Sequence, residues 1–133
     1  MTQENKELLL KDLCARLPYG VICHYDTIVP MVGKVKSYGR LYNISFFDIK
    51  PCFQFHCNRD VFDFDNVKPY LFPLSSMSTK QYVEFVHLGD ETSDDCLEGA
   101  NFNQLDWLNK NYFDYRGLIE KGLAIDATGL NIY

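Results

Sequence analysis

The change in hydrophobic period near Pro18 most strongly constrains what this chain can fold into. Residues 3–17, QENKELLLKDLCARL, place leucines at helical spacing and end just before Pro18, which predicts an amphipathic helix. Residues 20–57 are instead rich in Val, Ile, Tyr and Phe and are interrupted by glycines and prolines, a composition typical of several short strands. A helix followed by a strand-rich region predicts an α+β fold.

Residues 60–73 continue the strand composition. Val and Asp alternate with Phe62 and Phe64, which places the two rings on one face of an extended chain. Pro69 and Pro73 follow, and proline has no backbone N–H to donate to a neighbouring strand. The pattern therefore predicts no long central strand at this point.

Helix-capping residues mark the starts of further elements. Ser78 or Thr79 can cap a short helix or turn beginning near Lys80, because a side-chain oxygen satisfies free N–H groups of a first turn. Residues 89–99, GDETSDDCLEG, are polar and acidic. They predict a connecting loop.

The segment 104–121 divides into two predicted short helices. Asn103 can cap the first, and Asp114 can cap the second. Gly122 supplies the left-handed residue that often ends a helix. The tail LAIDATGLNIY has the composition of a terminal strand.

The aromatic and apolar residues of this C-terminal segment are sufficient to close one side of a sheet, so we expect most of them in the core. Arg116 and Glu120 are four residues apart in the second predicted helix. This spacing predicts an exposed ion pair worth a few tenths of a kcal/mol at most.

These elements combine into one predicted architecture. The chain has 133 residues, the size of one domain, so we expect residues 1–133 to form a single domain. The expected fold is α+β, with an N-terminal helix, a bent antiparallel sheet or small open SH3-like barrel, and a C-terminal helix pair packed on one side.

The formal charge of the chain limits its partners. Thirteen Lys and Arg residues against 18 Asp and Glu residues give a net charge of -5, which argues against non-specific binding to nucleic-acid phosphates. The sequence has no run of about 20 apolar residues, and its first residues are polar. We therefore expect a cytoplasmic protein without a membrane span, whose five cysteines are reduced thiols.

A cationic strip is the leading candidate for a ligand-binding surface. In GKVKSYGR, strand alternation places Lys34, Lys36, Tyr38 and Arg40 on one face and the intervening residues on the other. Cations beside an aromatic ring suit a phosphate-bearing small molecule such as a nucleotide. The alternative is a solvated strand face whose lysines discourage association between sheet edges.

Two His–Cys pairs raise the question of metal binding or catalysis. Cys23 precedes His24, and His56 precedes Cys57, and zinc accepts thiolate and imidazole ligands. However, neighbours on a strand point to opposite faces, and the closely spaced ligand pairs of structural zinc sites are missing. We therefore predict no metal, no cofactor and no catalytic residue. A small metal- or His-dependent hydrolase or nuclease remains the alternative.

Three blocks along the chain carry a resemblance to a protein family. KDLCARLPYGV, KPYLFPLSSMS and DWLNKNYFDYRGLIEKGLAID resemble, in this order, small proteins encoded by phages and prophage-like elements of gut Bacteroidales. The family more often has Arg where this chain has Phe72, so no role of that Arg is carried over. The resemblance implies an accessory protein made in the cytoplasm of a bacterial host.

Small accessory proteins of phages often act by stoichiometric binding. The setting therefore implies a non-catalytic binding protein that antagonises host defence by binding a host or phage protein or by sequestering a nucleotide signal. A structural or assembly protein of the virion is a further alternative. The high aromatic content, 15% of residues, also makes a homodimer an expectation.

Overall fold

The computed structural model describes residues 1–56, 59–90 and 102–133, which form three α-helices and one sheet of seven strands. The helices are α1 (Gln3–Arg16), α2 (Thr79–Asp90) and α3 (Phe102–Lys110). The strands are β1 (Ile22–Val29), β2 (Gly33–Phe47), β3 (Lys50–Phe55), β4 (Arg59–Val61), β5 (Val67–Pro73), β6 (Phe113–Asp114) and β7 (Ile125–Asp126). The strand order is β4-β3-β2-β1-β5-β6, and β7 also pairs with β5. The sheet is open, and the α+β prediction is confirmed.

Helix α1 begins and ends close to the predicted positions. The Thr2 side chain accepts a hydrogen bond from the Asn5 N–H at 3.1 Å, which caps the first turn. Leu9 and Leu13 are fully buried against the sheet, as their helical spacing predicts. After Arg16 the chain tightens into a 3-10 turn over Leu17–Tyr19.

Strand β2 corrects the prediction of several short strands. It runs 15 residues without a break, pairing with β1 through Gly33–Arg40 and with β3 through Leu41–Phe47. The register shifts between Leu41 and Asn43, where β2 changes partner from β1 to β3. The Tyr25 ring lies 3.6 Å from where a Cβ of Gly39 would be, so the glycine allows close packing there.

Strand β5 is interior, which overturns the prediction made from its prolines. Pro69 pairs with Cys23 of β1, and pairing with β7 on the other side begins only at Tyr70. The proline thus lies at the changeover between partners, where a missing N–H breaks no continuous ladder. Because β6 and β7 run parallel to β5, the sheet is mixed rather than purely antiparallel.

The predicted Phe alternation between residues 61 and 65 is wrong. Strand β4 ends at Val61, and the chain enters a 3-10 turn over Phe64–Asn66. The Asp63 carboxylate accepts a hydrogen bond from the Asp65 N–H at 3.1 Å, which favours a turn over an extended chain. Phe64 is consequently buried while Phe62 is exposed.

Helix α2 begins at the predicted capping residues. The Gln81 N–H donates to Ser78 Oγ at 3.2 Å, and the Ser78 N–H donates to Gln81 Oε1 at 2.9 Å, which is a reciprocal capping box. Of the predicted loop at 89–99, the first two residues belong to α2 and residues 91–99 lie outside the described residues. Among the described helices none is long and apolar enough to cross a bilayer.

The helix pair differs from the two helices predicted over 104–121. Helix α3 already includes Asn103, so this residue is not its cap. Asp114 does accept hydrogen bonds from the N–H groups of Leu118 and Ile119, at 3.0 and 2.9 Å, but the chain makes only a turn there. Gly117 adopts a positive φ of 74°. A right-handed α-helix does not include this conformation, so the predicted second helix cannot run through Gly117.

The observed helix pair consists of α2 and α3. The Phe85 and Trp107 rings lie 5.8 Å apart, and Gln104 donates to the Phe85 carbonyl at 3.0 Å. These contacts join the two helices on one side of the domain.

A buried charged network joins the two ends of the chain. Asp12 and Arg16 are both fully buried, and the Arg16 Nε–Asp12 Oδ2 distance is 2.9 Å. Arg116 donates to the other oxygen of Asp12 at 2.8 Å. The predicted Arg116–Glu120 pair is therefore replaced by a contact between residues 104 positions apart, because Asp12 offers Arg116 a carboxylate shielded from water.

Candidate functional surface

The β1–β2 hairpin extends beyond the core. Near its tip, Ile28 is 83% exposed, Val32 is 72% exposed and Met31 is fully exposed. On the face that should point inward, Ser37 is exposed and Val35 only half-buried. We call residues 27–38 the arm, and both of its faces are accessible to a partner.

The four residues of the cationic strip lie on one face of β2, as predicted. Lys34, Lys36, Tyr38 and Arg40 are all exposed, whereas Gly39 on the other face packs over the buried Tyr25 ring. We call the side of the sheet that carries the strip the outer face.

The strand register adds residues to the outer face that the sequence did not indicate. His24 lies opposite Tyr38, and Asp26 lies opposite Lys36. On the next strand, Lys68 lies opposite His24. Only the pairing of β1 with both β2 and β5 brings these residues together, so no local motif could have identified Lys68.

Two tyrosines form an aromatic pair beside these charges. The Tyr38 and Tyr70 rings meet edge to face with centroids 6.4 Å apart. Tyr38 is 61% exposed, while Tyr70 is largely buried. Burial raises the pKa of the Tyr70 phenol, with a smaller contribution from Tyr38. Tyr70 thus contacts the Tyr38 ring on one side, and most of the Tyr38 ring remains exposed to solvent.

The cations of the strip are not equivalent. Lys34 Nζ lies 3.4 Å from Asp26 Oδ2, and Arg40 donates to the Gly20 carbonyl at 2.8 Å. Arg40 therefore secures the turn after α1. Lys36 makes neither kind of contact among the described residues, so its ammonium group is the most available to a ligand.

Asp26 has an oxygen in an unusual environment. Its Oδ1 is buried and accepts no hydrogen bond from any described residue, although His24 Nε2 lies 3.5 Å away. Asp26 therefore places a carboxylate among the cations of the outer face.

The described members of the two His–Cys pairs do not assemble as one group. Cys23 is completely buried beneath the sheet, where burial raises the pKa of its thiol, while His24 lies on the outer face. His56 lies beside the Tyr42 ring, at 5.0 Å between centroids, and Cys57 lies outside the described residues. Within ranges 1–56, 59–90 and 102–133, no three His, Cys, Asp or Glu side chains are placed to share a metal ion.

The described cysteines are free thiols. Cys14 is exposed, and Cys23 and Cys52 are buried. The two buried thiols contribute to packing, and the described cysteines form no cross-link with one another.

Comparisons of the whole chain with known proteins find no match. None of the protein-family models matches it, and no similar protein is found among curated sequences or solved structures.

Proposed function

We propose that this chain is a non-catalytic binding protein whose contact surface is the arm and the cationic strip along it. The observation that supports this proposal is the exposure of both faces of the arm together with its apolar tip. No residue of the arm is fully buried, so the arm contributes little to the core. Apolar residues bordered by lysines are instead characteristic of surfaces that contact a partner.

The length of the strip favours an extended partner over a compact ligand. Lys34 and Arg40 are six residues apart on a single strand, which corresponds to roughly 20 Å at about 3.3 Å per residue. A single nucleotide cannot contact both ends of such a strip. A polypeptide segment can follow it throughout, so we propose that the partner is a protein.

The biological setting of the proposal comes from the three sequence blocks described above. They resemble small proteins of Bacteroidales phages and prophage-like elements, so we propose an accessory protein acting in the cytoplasm of the bacterial host. Binding a host protein would then antagonise host defence. No step of this role requires turnover of a substrate.

A second candidate function is supported by the Tyr38–Tyr70 pair. His24 and Lys68 lie next to this pair on the outer face. An exposed ring can stack on a nucleobase while neighbouring cations bind phosphate. This arrangement suits a nucleotide bound at one end of the strip, and the protein would then sequester a nucleotide signal.

Matched charge variants test the leading proposal. The double variant Lys34→Gln/Lys36→Gln removes two charges from the arm, and Lys11→Gln/Lys80→Gln removes two exposed charges elsewhere. Each tagged protein is expressed in the bacterial host, and captured proteins are quantified by mass spectrometry. We expect a partner retained by wild type and by the Lys11/Lys80 variant but lost from the Lys34/Lys36 variant.

Two results would contradict a non-catalytic role through the arm. One is a partner retained equally by all three proteins. The other is turnover of nucleotides or nucleic acid by the purified protein that a point substitution abolishes. Native mass spectrometry of the same preparations separates the two candidates, because a nucleotide lost on Tyr38→Ala substitution would favour the second.

A further inference from the structure

Among the residues that the structure describes, none pairs with the edge of β2 beside the strip. Residues 33–40 pair with β1 on one side, but β3 pairs only with residues 41–47. Among the described residues no strand covers the other side of residues 33–38. A strand with one free side is a template for a further strand.

Two hydrogen bonds establish which groups point to the free side. The Leu41 N–H donates to the Val21 carbonyl, toward β1, and the Arg40 carbonyl accepts from the His56 N–H, toward β3. Backbone groups of successive residues point to alternate sides of a strand. The N–H and C=O groups of Lys34, Lys36 and Tyr38 therefore face the free edge, while those of Val35 and Ser37 bond to β1.

Three of the four strip residues, Lys34, Lys36 and Tyr38, are the ones that offer their backbone groups at this edge. A strand added at this edge would place every second side chain on the outer face, next to Lys34, Lys36 and Tyr38. Carboxylates at these positions would pair with the lysines. The intervening side chains would lie beside Val35 and Ser37, where small apolar residues fit.

We propose that the free edge of β2 binds an acidic segment of a partner protein as an additional strand. This inference rests on the proposed function and identifies the chemistry of its partner. Charge complementarity selects the occupant, because an edge bordered by lysines attracts alternating carboxylates. It also disfavours a second copy of this chain, since antiparallel self-pairing centred on Lys36 would place like charges opposite each other.

The test uses a seven-residue peptide of alternating Glu and Val, acetylated and amidated, added to the intact protein. Hydrogen–deuterium exchange followed by NMR reports each backbone amide. We expect the amides of Lys34, Lys36 and Tyr38 to become protected on binding. The amides of Val35 and Ser37 should change little, because β1 already protects them.

A second peptide separates strand addition from simple charge attraction. It has the same sequence with alternate backbone amides N-methylated on its binding side, which preserves every charge but removes the donors. We expect its affinity to fall about fivefold for each hydrogen bond lost. Equal affinity of the two peptides, or protection without the alternating pattern, would overturn the inference.

A protein variant supplies an independent test. Lys36→Pro removes a donor on the free side, where proline is tolerated, and Lys36→Gln removes only the charge. We expect Lys36→Pro to bind the peptide about fivefold more weakly than Lys36→Gln. Protection of the Val35 and Ser37 amides verifies that the variant is folded, and if it is not, the N-methylated peptide alone decides.

The outcomes for the two proposals are distinguishable. If the Lys34/Lys36 variant loses its captured protein but the exchange pattern does not alternate, the binding function stands and strand addition is wrong. If the captured protein is retained by that variant, the binding function itself is wrong.

Discussion

Replacing Asp12 by Asn should cost more stability than almost any other isosteric change in this protein. Asp12 is fully buried and accepts from Arg16 at 2.9 Å and from Arg116 at 2.8 Å. Arg16 is also fully buried, so loss of the carboxylate leaves a guanidinium without a counter-charge. Breaking one partner of a buried pair typically costs about 3–5 kcal/mol.

The structure places the expected loss at the lower end of this range. Arg16 also donates to the carbonyls of Leu108 and Phe113, at 3.4 and 2.6 Å, and these bonds survive the substitution. Asn also retains one oxygen that accepts a hydrogen bond. We therefore expect Asp12→Asn to reduce the free energy of unfolding by about 3 kcal/mol, a large part of the roughly 5–15 kcal/mol typical of a domain.

Urea unfolding measured by fluorescence tests this expectation. The single Trp, Trp107, stacks on Phe113 next to the network, so its emission should report unfolding. Glu120→Gln is the matched control, because it removes a carboxylate that is exposed; it should cost less than about 0.5 kcal/mol. An Asp12→Asn loss below about 1 kcal/mol, or equal to that of the control, would refute a buried charge network.

A double-mutant cycle extends the same test. Arg116 is 15% exposed at its side chain, so water can partly solvate it when its partner is lost. Arg116→Gln should therefore cost less than Asp12→Asn. The two substitutions should be non-additive by about 0.5–3 kcal/mol, as expected for residues in direct contact.

Three further predictions concern the C-terminal turn and the loss of stability at high pH. Asp114→Ala removes the cap on the N–H groups of Leu118 and Ile119 and should cost about 1–2 kcal/mol in urea unfolding, whereas no loss would exclude the cap. Gly122→Ala should cost about 1 kcal/mol, because φ is 72° there; an unchanged midpoint in thermal melts would contradict this. Burial raises the pKa of the Cys23 thiol above 9.0. As pH rises past about 9, the thiol therefore loses its proton in the unfolded chain but keeps it in the folded protein. The free energy of unfolding should then fall by at most about 1.4 kcal/mol per pH unit. Cys23→Ala should reduce this slope in urea titrations, and an unchanged slope would show that Cys23 does not cause it.

The sequence alone was sufficient where the cause of a structure is local. Pro18 follows the end of α1, and Ser78 caps the start of α2, because these signals depend on atoms within one turn. Strand alternation also depends only on neighbouring residues, and it placed the alternate residues from Lys34 to Arg40 on one face of β2. Gly117 shows where local reasoning fails. Glycine allows several backbone conformations, and neighbouring residues do not determine which one it adopts. Its positive φ replaces the predicted helix with a turn.

The tertiary structure decided everything that depends on which distant segments meet. The register of β1 against β5 brought Lys68 and Tyr70 to the outer face beside Tyr38. The fold also brought Arg116 to Asp12 instead of Glu120. Pairing between strands is specified by burial summed over the whole sheet, so residue types in one segment cannot reveal it. The alternation of β2 was legible in the sequence, but only the position of β3 left its edge free.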